Sequence, residues 1–135
     1  MARYLLDTNI CIYIAKKHPP EVQKKFAKLA PGDVAMSAIT FGEMHFGAHK
    51  SQYREQAMAT LEKLKTAIPV LTLEAEVGQH NGEIRAELQR QGNLIGNNDV
   101  WIAAHARALG LVLVTNNERE FVRVPKLKVE NWIIS

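Results

Sequence analysis

Three acidic residues stand where a carboxylate has chemical use. Asp7 ends the apolar run Tyr4-Leu5-Leu6 and is followed by Thr8 and Asn9, so it closes a short first strand. In an open α/β sheet, ligands gather beyond the carboxyl ends of the strands, which puts such a residue in a working position. Glu43 has Ile39, Phe46 and Gly47 at i−4, i+3 and i+4, the stripe that a helix turns toward its core. Asp99 follows the Gly- and Asn-rich stretch Gln91-Gly92-Asn93-Leu94-Ile95-Gly96-Asn97-Asn98 and has Ile102, Ala103 and Ala106 at i+3, i+4 and i+7. Each also has a bland explanation: Asp7 and Asp99 as helix N-caps, Glu43 as the solvated edge of its stripe.

The three become informative if they meet. At an effective dielectric of ~20, two carboxylates ~5 Å apart repel by roughly 3 kcal/mol, so three such pairs cost about 10. That rivals the roughly 5 to 15 kcal/mol stability of a whole domain. A converging triad therefore needs protonation, basic partners or a cation. A set of carboxylate and water oxygens suits Mg²⁺ or Mn²⁺ rather than zinc. Such an ion lowers the pKa of bound water, orients it for in-line attack and neutralises charge on a phosphate oxygen. The turn Thr115-Asn116-Asn117-Glu118-Arg119-Glu120 completes the picture, with Thr115, Asn116 and Asn117 as neutral hydrogen-bonding groups and Glu120 as a candidate fourth carboxylate. Arg85 and Arg119 are candidates for holding phosphate or clamping the carboxylates, and equally read as ordinary surface arginines.

The elements that must position these residues follow from hydrophobic spacing and breakers. Strands are expected at 3–6, 34–36, 68–73, 111–114 and 128–132, with Pro69 marking an edge or a strand start. Helices are expected at 8–17, 21–29, 52–67, 74–91 and 99–109, and one capped by Ser37 runs through residue 47. Gly110 is a left-handed stop for the last of the helices. Strands alternating with helices imply parallel βαβ units, hence an α/β, doubly wound sheet covered on both faces.

Composition narrows the classes. At 135 residues the chain is expected to be a single domain with a real core. Lys plus Arg outnumber Asp plus Glu by 17 to 14, a mildly basic balance compatible with an anionic partner. Cys11 is the only cysteine, so a disulfide framework and a thiolate metal cluster are excluded. No signal-peptide pattern and no bilayer-length apolar run stand in the sequence, so the expected location is the cytoplasm, away from the membrane. His45 and His49 have the helical spacing of a metal pair but lie about 200° round from Glu43, without a third ligand. His18, His80 and His105 read as surface or packing residues. Phosphate-loop, dinucleotide and serine-elbow motifs are missing. The lysines between 16 and 28 form a solvated face that can also meet RNA phosphates.

Four segments then carry a resemblance over essentially the whole chain. They are Leu6-Asp7-Thr8-Asn9, Ser37-Ala38-Ile39-Thr40-Phe41-Gly42-Glu43, Gly96-Asn97-Asn98-Asp99-Val100-Trp101-Ile102-Ala103-Ala104-His105-Ala106, and Val114-Thr115-Asn116-Asn117-Glu118-Arg119-Glu120-Phe121, with Val129-Glu130-Asn131-Trp132 closing. In this order they resemble the PIN-domain nucleases, and within them the VapC-type toxins of bacterial type II toxin–antitoxin pairs. The resemblance implies a PIN-like three-layer α/β/α fold around a central, mostly parallel, twisted sheet, with residues 1–135 as one nuclease domain.

It further implies a Mg²⁺- or Mn²⁺-dependent endoribonuclease in which Asp7, Glu43 and Asp99 bind metal, while Thr8, Asn9, Thr115 and Asn116 tune the geometry. Many relatives carry an aspartate where this chain has Asn117, which leaves Glu120 as the expected substitute. Such toxins cleave structured RNA, typically tRNA, some of them initiator tRNA in its anticodon stem-loop, and so stop translation. The implied assembly is a homodimer within a hetero-oligomer, held inactive by a VapB-type antitoxin whose tail wraps the toxin and can push a basic side chain into the acidic pocket. Two alternatives remain open on the residues alone. One is a metal-dependent phosphohydrolase of small substrates, which usually has a second aspartate where Asn9 stands. The other is a catalytically silent PIN-like module that binds RNA or protein.

Overall fold

The computed structural model describes residues 2–134, and over them five short strands alternate with seven helices. The strands are β1 (Tyr4–Leu6), β2 (Val34–Ser37), β3 (Val70–Leu71), β4 (Val112–Val114) and β5 (Val129–Glu130). The helices are α1 (Thr8–Lys16), α2 (Pro20–Ala27), α3 (Ala38–His49), α4 (Arg54–Ala67), α5 (Ala75–Gln91), α6 (Asn97–Leu109) and α7 (Glu118–Phe121).

The sheet order is β3-β2-β1-β4-β5, and every pairing is parallel. The chain walks outward from β1 through β2 to β3, then returns to lay β4 against the other side of β1. The direction of winding therefore reverses between β1 and β4, the position where open α/β sheets form ligand crevices.

Neighbouring strand residues feed opposite cores. Leu5, Ala35 and Leu113 pack with Val77, Ile84 and Leu88 of α5, Ile102 of α6 and Phe121 of α7. Leu6, Met36 and Val114 pack on the other face with Ile10, Cys11 and Ile14 of α1, Val22 of α2 and Leu64 of α4. Strands buried on both faces need apolar residues at successive positions, which is why they read as short continuous runs. Helix α3 serves both layers, with Ile39 on the first core and Phe41 and Met44 on the second. This is the expected three-layer arrangement. Burial, reinforced by the charge of Asp7, pushes the Cys11 thiol up, so it stays a neutral packing group.

Several boundaries move for physical reasons. The edge strand shrinks to Val70–Leu71, directly after the donor-less Pro69, and the last strand to Val129–Glu130. One turn of helix, α7, occupies the polar segment after β4. Helix α6 starts at Asn97 rather than Asp99, because Gly96 takes the N-cap position and the two asparagines fill the first turn. Gly110 ends it with φ 69, as expected for a left-handed cap. Among the described residues no helix is long and apolar enough to cross a membrane.

Candidate active site

Strands β1 and β4 pair Leu6 with Val114, so Asp7 and Thr115 leave the sheet side by side. The Asp7 amide donates to the Val114 carbonyl at 3.0 Å, which extends the ladder one residue beyond the strand. Asp7 is only 6% exposed. One of its carboxylate oxygens caps α1 by accepting from the Ile10 amide at 3.0 Å, and the other accepts from the Thr115 hydroxyl. The cap and the exposed edge of the sheet thus share one side chain. Thr115 in turn accepts from the Asn117 amide at 2.9 Å, and the Asn117 side chain donates to Glu120 at 2.9 Å.

Helix α3 leaves β2 in the same direction and carries Glu43 to this edge. The Thr8 hydroxyl donates to one Glu43 oxygen, and the Asn98 side chain donates to the other at 3.3 Å. Asp99 stands on the first turn of α6, where the helix dipole favours a negative charge. Glu43 and Asp99 line a cleft of about 380 Å³ together with Gly96, Asn97 and Asn98.

The charges of three other carboxylates reach Asp99 here. Burial pushes Asp99 up to about 6, and the charges of Glu120, Glu43 and Asp7 add to it. Asp7 is also raised, first by burial, with hydrogen bonds from Thr115 and Ile10 opposing and the charge of Glu43 contributing. Ion pairs among the described residues join Arg3 to Asp33, Lys65 to Glu62, Arg90 to Glu87 and Arg107 to Glu83, all outside this group. Among the described residues no basic partner relieves the repulsion, and Asp99, at about 6, is mostly ionised at neutral pH. A cation would relieve it. No three His, Cys, Asp or Glu side chains among the described residues are grouped tightly enough to chelate an ion by themselves. The all-oxygen donors fit a hard divalent ion that keeps several waters and takes one or two carboxylates directly.

The other expected site residues divide. Thr8, Thr115, Asn117 and Glu120 join the acidic network. Asn9 is exposed on α1 and makes no side-chain hydrogen bond among the described residues. Asn116 is exposed and accepts from Asn131 at 3.4 Å, away from the carboxylates. Arg85 and Arg119 are exposed on α5 and α7, and neither forms an ion pair among the described residues, so the carboxylate clamp is not formed.

Two contributors carry no signal of their own in the sequence. Asn98 reads as loop, although it directly precedes Asp99. Thr40, buried and 3.3 Å from the Thr8 hydroxyl, lies three residues before Glu43 on the same helical face. His105 is fully buried, as a packing residue would be, but it has a polar partner that the sequence does not suggest, with Nδ1 2.8 Å from the Ser37 hydroxyl.

Comparison with known proteins shows the family of the chain. Residues 4–127 match the PIN domain. The chain is 47% identical over 133 residues to "Ribonuclease VapC2" of Haemophilus influenzae, covering 98% of this chain and 100% of that one. It is 46% identical over 132 residues to "tRNA(fMet)-specific endonuclease VapC" of Shigella flexneri, covering 98% and 99%. A crystal structure of DNA-bound VapBC from Salmonella typhimurium superimposes with a TM-score of 0.93 at 40% identity, covering 98% of this chain and 100% of that one. On its fold, its acidic sheet edge and these full-length likenesses, the chain belongs to the PIN-domain family, among the VapC-type ribonuclease toxins.

Proposed function

We propose that residues 1–135 act as one cytoplasmic nuclease domain that cuts initiator tRNA with Mg²⁺ or Mn²⁺ held by Asp7, Glu43 and Asp99, directly or through the ion's own waters. The observation that carries this reading is the group of mutually repelling carboxylates at the β1/β4 switch point, with no basic partner among the described residues. The bound ion supplies a polarised water and offsets charge on the scissile phosphate.

The chain's own residues do the rest. Thr115 and the Ile10 amide hold both oxygens of Asp7, so its orientation is set before substrate arrives. Thr8 and Asn98 do the same for Glu43. Glu120, oriented by Asn117, is a carboxylate beside Asp99 available to accept a proton. Arg85 and Arg119 remain free to meet RNA phosphates.

The substrate assignment leans on the relatives named as tRNA(fMet)-specific endonucleases from Shigella flexneri and Salmonella typhimurium. A VapB-type antitoxin is the proposed partner within a complex of toxin dimers, since solved relatives are VapBC complexes. An apolar groove of about 630 Å³ between α1, α3 and α4, lined by Ile12, Met44 and Leu61, reaches Glu43 and fits an amphipathic antitoxin segment.

The deciding experiment maps RNA ends after brief expression of the wild type and of Asp7→Ala. New ends in initiator tRNA are expected for the wild type alone. A folded Asp7→Ala protein that cleaves at the wild-type rate with Mg²⁺ sinks the assignment. Calorimetric titration with Mn²⁺ separates the enzyme from a silent binding module, which has no carboxylate-dependent uptake.

A further inference from the structure

Two polar contacts join α3 to α6, and they sit at opposite ends of the crossing. At the open end, Asn98 donates to Glu43 beside Asp99. At the closed end, the imidazole of His105 meets the hydroxyl of Ser37, the N-cap of α3. At about 1.5 Å per residue, roughly 9 Å of chain separates Ser37 from Glu43, and roughly 10 Å separates Asn98 from His105. The helices therefore run antiparallel with matched spans, like two rungs of one ladder.

The closed rung is fully inside the protein. His105 and Ser37 are both 0% exposed. Burial lowers the pKa of the His105 ring, against a smaller opposing effect of the Thr72 backbone, so the imidazole is neutral. The Ser37 oxygen accepts from the Ile39 amide at 3.1 Å, and its hydroxyl can donate to His105 Nδ1 at 2.8 Å, the tautomer that leaves the ring proton on Nε2. Nε2 then meets the Thr72 backbone outside good hydrogen-bond geometry. Burying an imidazole whose second nitrogen is poorly matched costs free energy, and a leucine carries no such group. What the polar pair adds is direction: a one-residue slip of α3 along α6 breaks it.

We propose that His105 is a positioning residue whose buried bond to Ser37 sets the register of α3 on α6, and through it the spacing of Glu43 and Asp99. The proposal rests on the reading of the acidic pocket as a metal site. His105 touches neither the acidic group nor substrate, and it acts only through the two helices.

The test compares His105→Leu, His105→Asn and Ser37→Ala in the full chain by thermal unfolding and by calorimetric titration with Mn²⁺, with Asp7→Asn as the control for site-specific uptake. His105→Leu is expected to keep or raise Tm, yet to bind Mn²⁺ about tenfold more weakly, the lower range for residues that orient metal ligands. His105→Asn places a polar atom where Nδ1 stands and is expected to regain most of the affinity. Ser37→Ala is expected to weaken binding as His105→Leu does, and the double variant to be no worse than either single one. If His105→Leu fails to fold, Ser37→Gly carries the measurement, since it removes the hydroxyl at little capping cost. Unchanged Mn²⁺ affinity in the folded variants overturns the proposal. Absence of Mn²⁺ uptake by the wild type defeats the metal reading instead. A crystal structure of the variant then decides the positioning claim: loss of the Asn98–Glu43 hydrogen bond supports it, and an unmoved α3 overturns it.

Discussion

Thr115 donates its hydroxyl hydrogen to Asp7 across the seam between β4 and β1, joining residues 108 apart in sequence. The bond opposes the burial that raises the Asp7 carboxyl, and it leaves the cap on α1 undisturbed. One hydroxyl thus helps keep a nearly buried acid in its charged form at the point where the sheet changes direction.

Replacing Thr115 by valine keeps the shape and removes both the donor to Asp7 and the acceptor for the Asn117 amide. The stranded carboxylate oxygen is expected to lower stability by about 1 to 3 kcal/mol, read by urea unfolding at neutral pH. RNA cleavage should fall at least tenfold, and Thr115→Ser should recover both. Stability and cleavage equal to those of the wild type in Thr115→Val would falsify the idea that this bond supports Asp7.

Asp99 gives a pH signature in metal-free protein. Its carboxyl is raised to about 6 from an ordinary 3.8, so between those values the folded chain binds a proton that the unfolded chain does not. Stability therefore falls as pH rises through that window. Asp99→Asn removes the charge, and the chelator-treated variant is expected to unfold a few degrees above the wild type at pH 7. Because the side chain is partly solvated, the gain is discounted to about 1 kcal/mol. The gap should close near pH 4, where both forms are neutral, and excess Mn²⁺ should reverse the ranking by stabilising only the intact site. A gap independent of pH removes charge as its cause.

Legibility in the sequence follows locality. The ends of strands, the apolar stripe around Asp99, and the alternation of strand and helix are short-range signals, and they carry the parallel sheet and the acidic edge; the stripe around Glu43 holds only in part, since Ile39 packs on the core while Phe46 is 65% exposed. The contacts between Thr8 and Thr40 and between Asn98 and Glu43 span 32 and 55 residues, and nothing in the spacing of polar residues announces them. Spacing also shows which face a histidine occupies without showing what lies opposite, so His105 reads as packing while its partner stands 68 residues away. Charge alone suggests the arginine clamp, and long exposed side chains on α5 and α7 have no reason to fold back onto carboxylates when water is available.

Those two arginines yield a substrate prediction. Arg85→Ala and Arg119→Ala are each expected to leave stability within about 0.5 kcal/mol of the wild type, since each is exposed and unpaired among the described residues. Where the arginine meets an RNA phosphate, its removal weakens binding and reduces the slope of log affinity against log salt by about 0.7 to 0.9. Filter binding across a salt series checks this. A residue whose removal leaves the slope unchanged does not touch the RNA backbone.

Asn117→Asp tests how far the cation's influence extends. The wild-type amide donates to Glu120 at 2.9 Å, while an aspartate of the same shape turns that contact into two opposed carboxylates. At an effective dielectric of ~20 such a pair costs up to about 3 kcal/mol, so the metal-free variant is expected to unfold at lower temperature than the wild type at pH 7. Acid reduces the penalty once one carboxyl takes up a proton, so the difference shrinks toward pH 4. A cation beside Asp99 and Glu120 offsets the same repulsion, and Mn²⁺ should therefore raise Tm more in the variant than in the wild type. An equal rise in both proteins places the Asn117–Glu120 edge beyond the ion's reach and removes Glu120 from the acidic pocket.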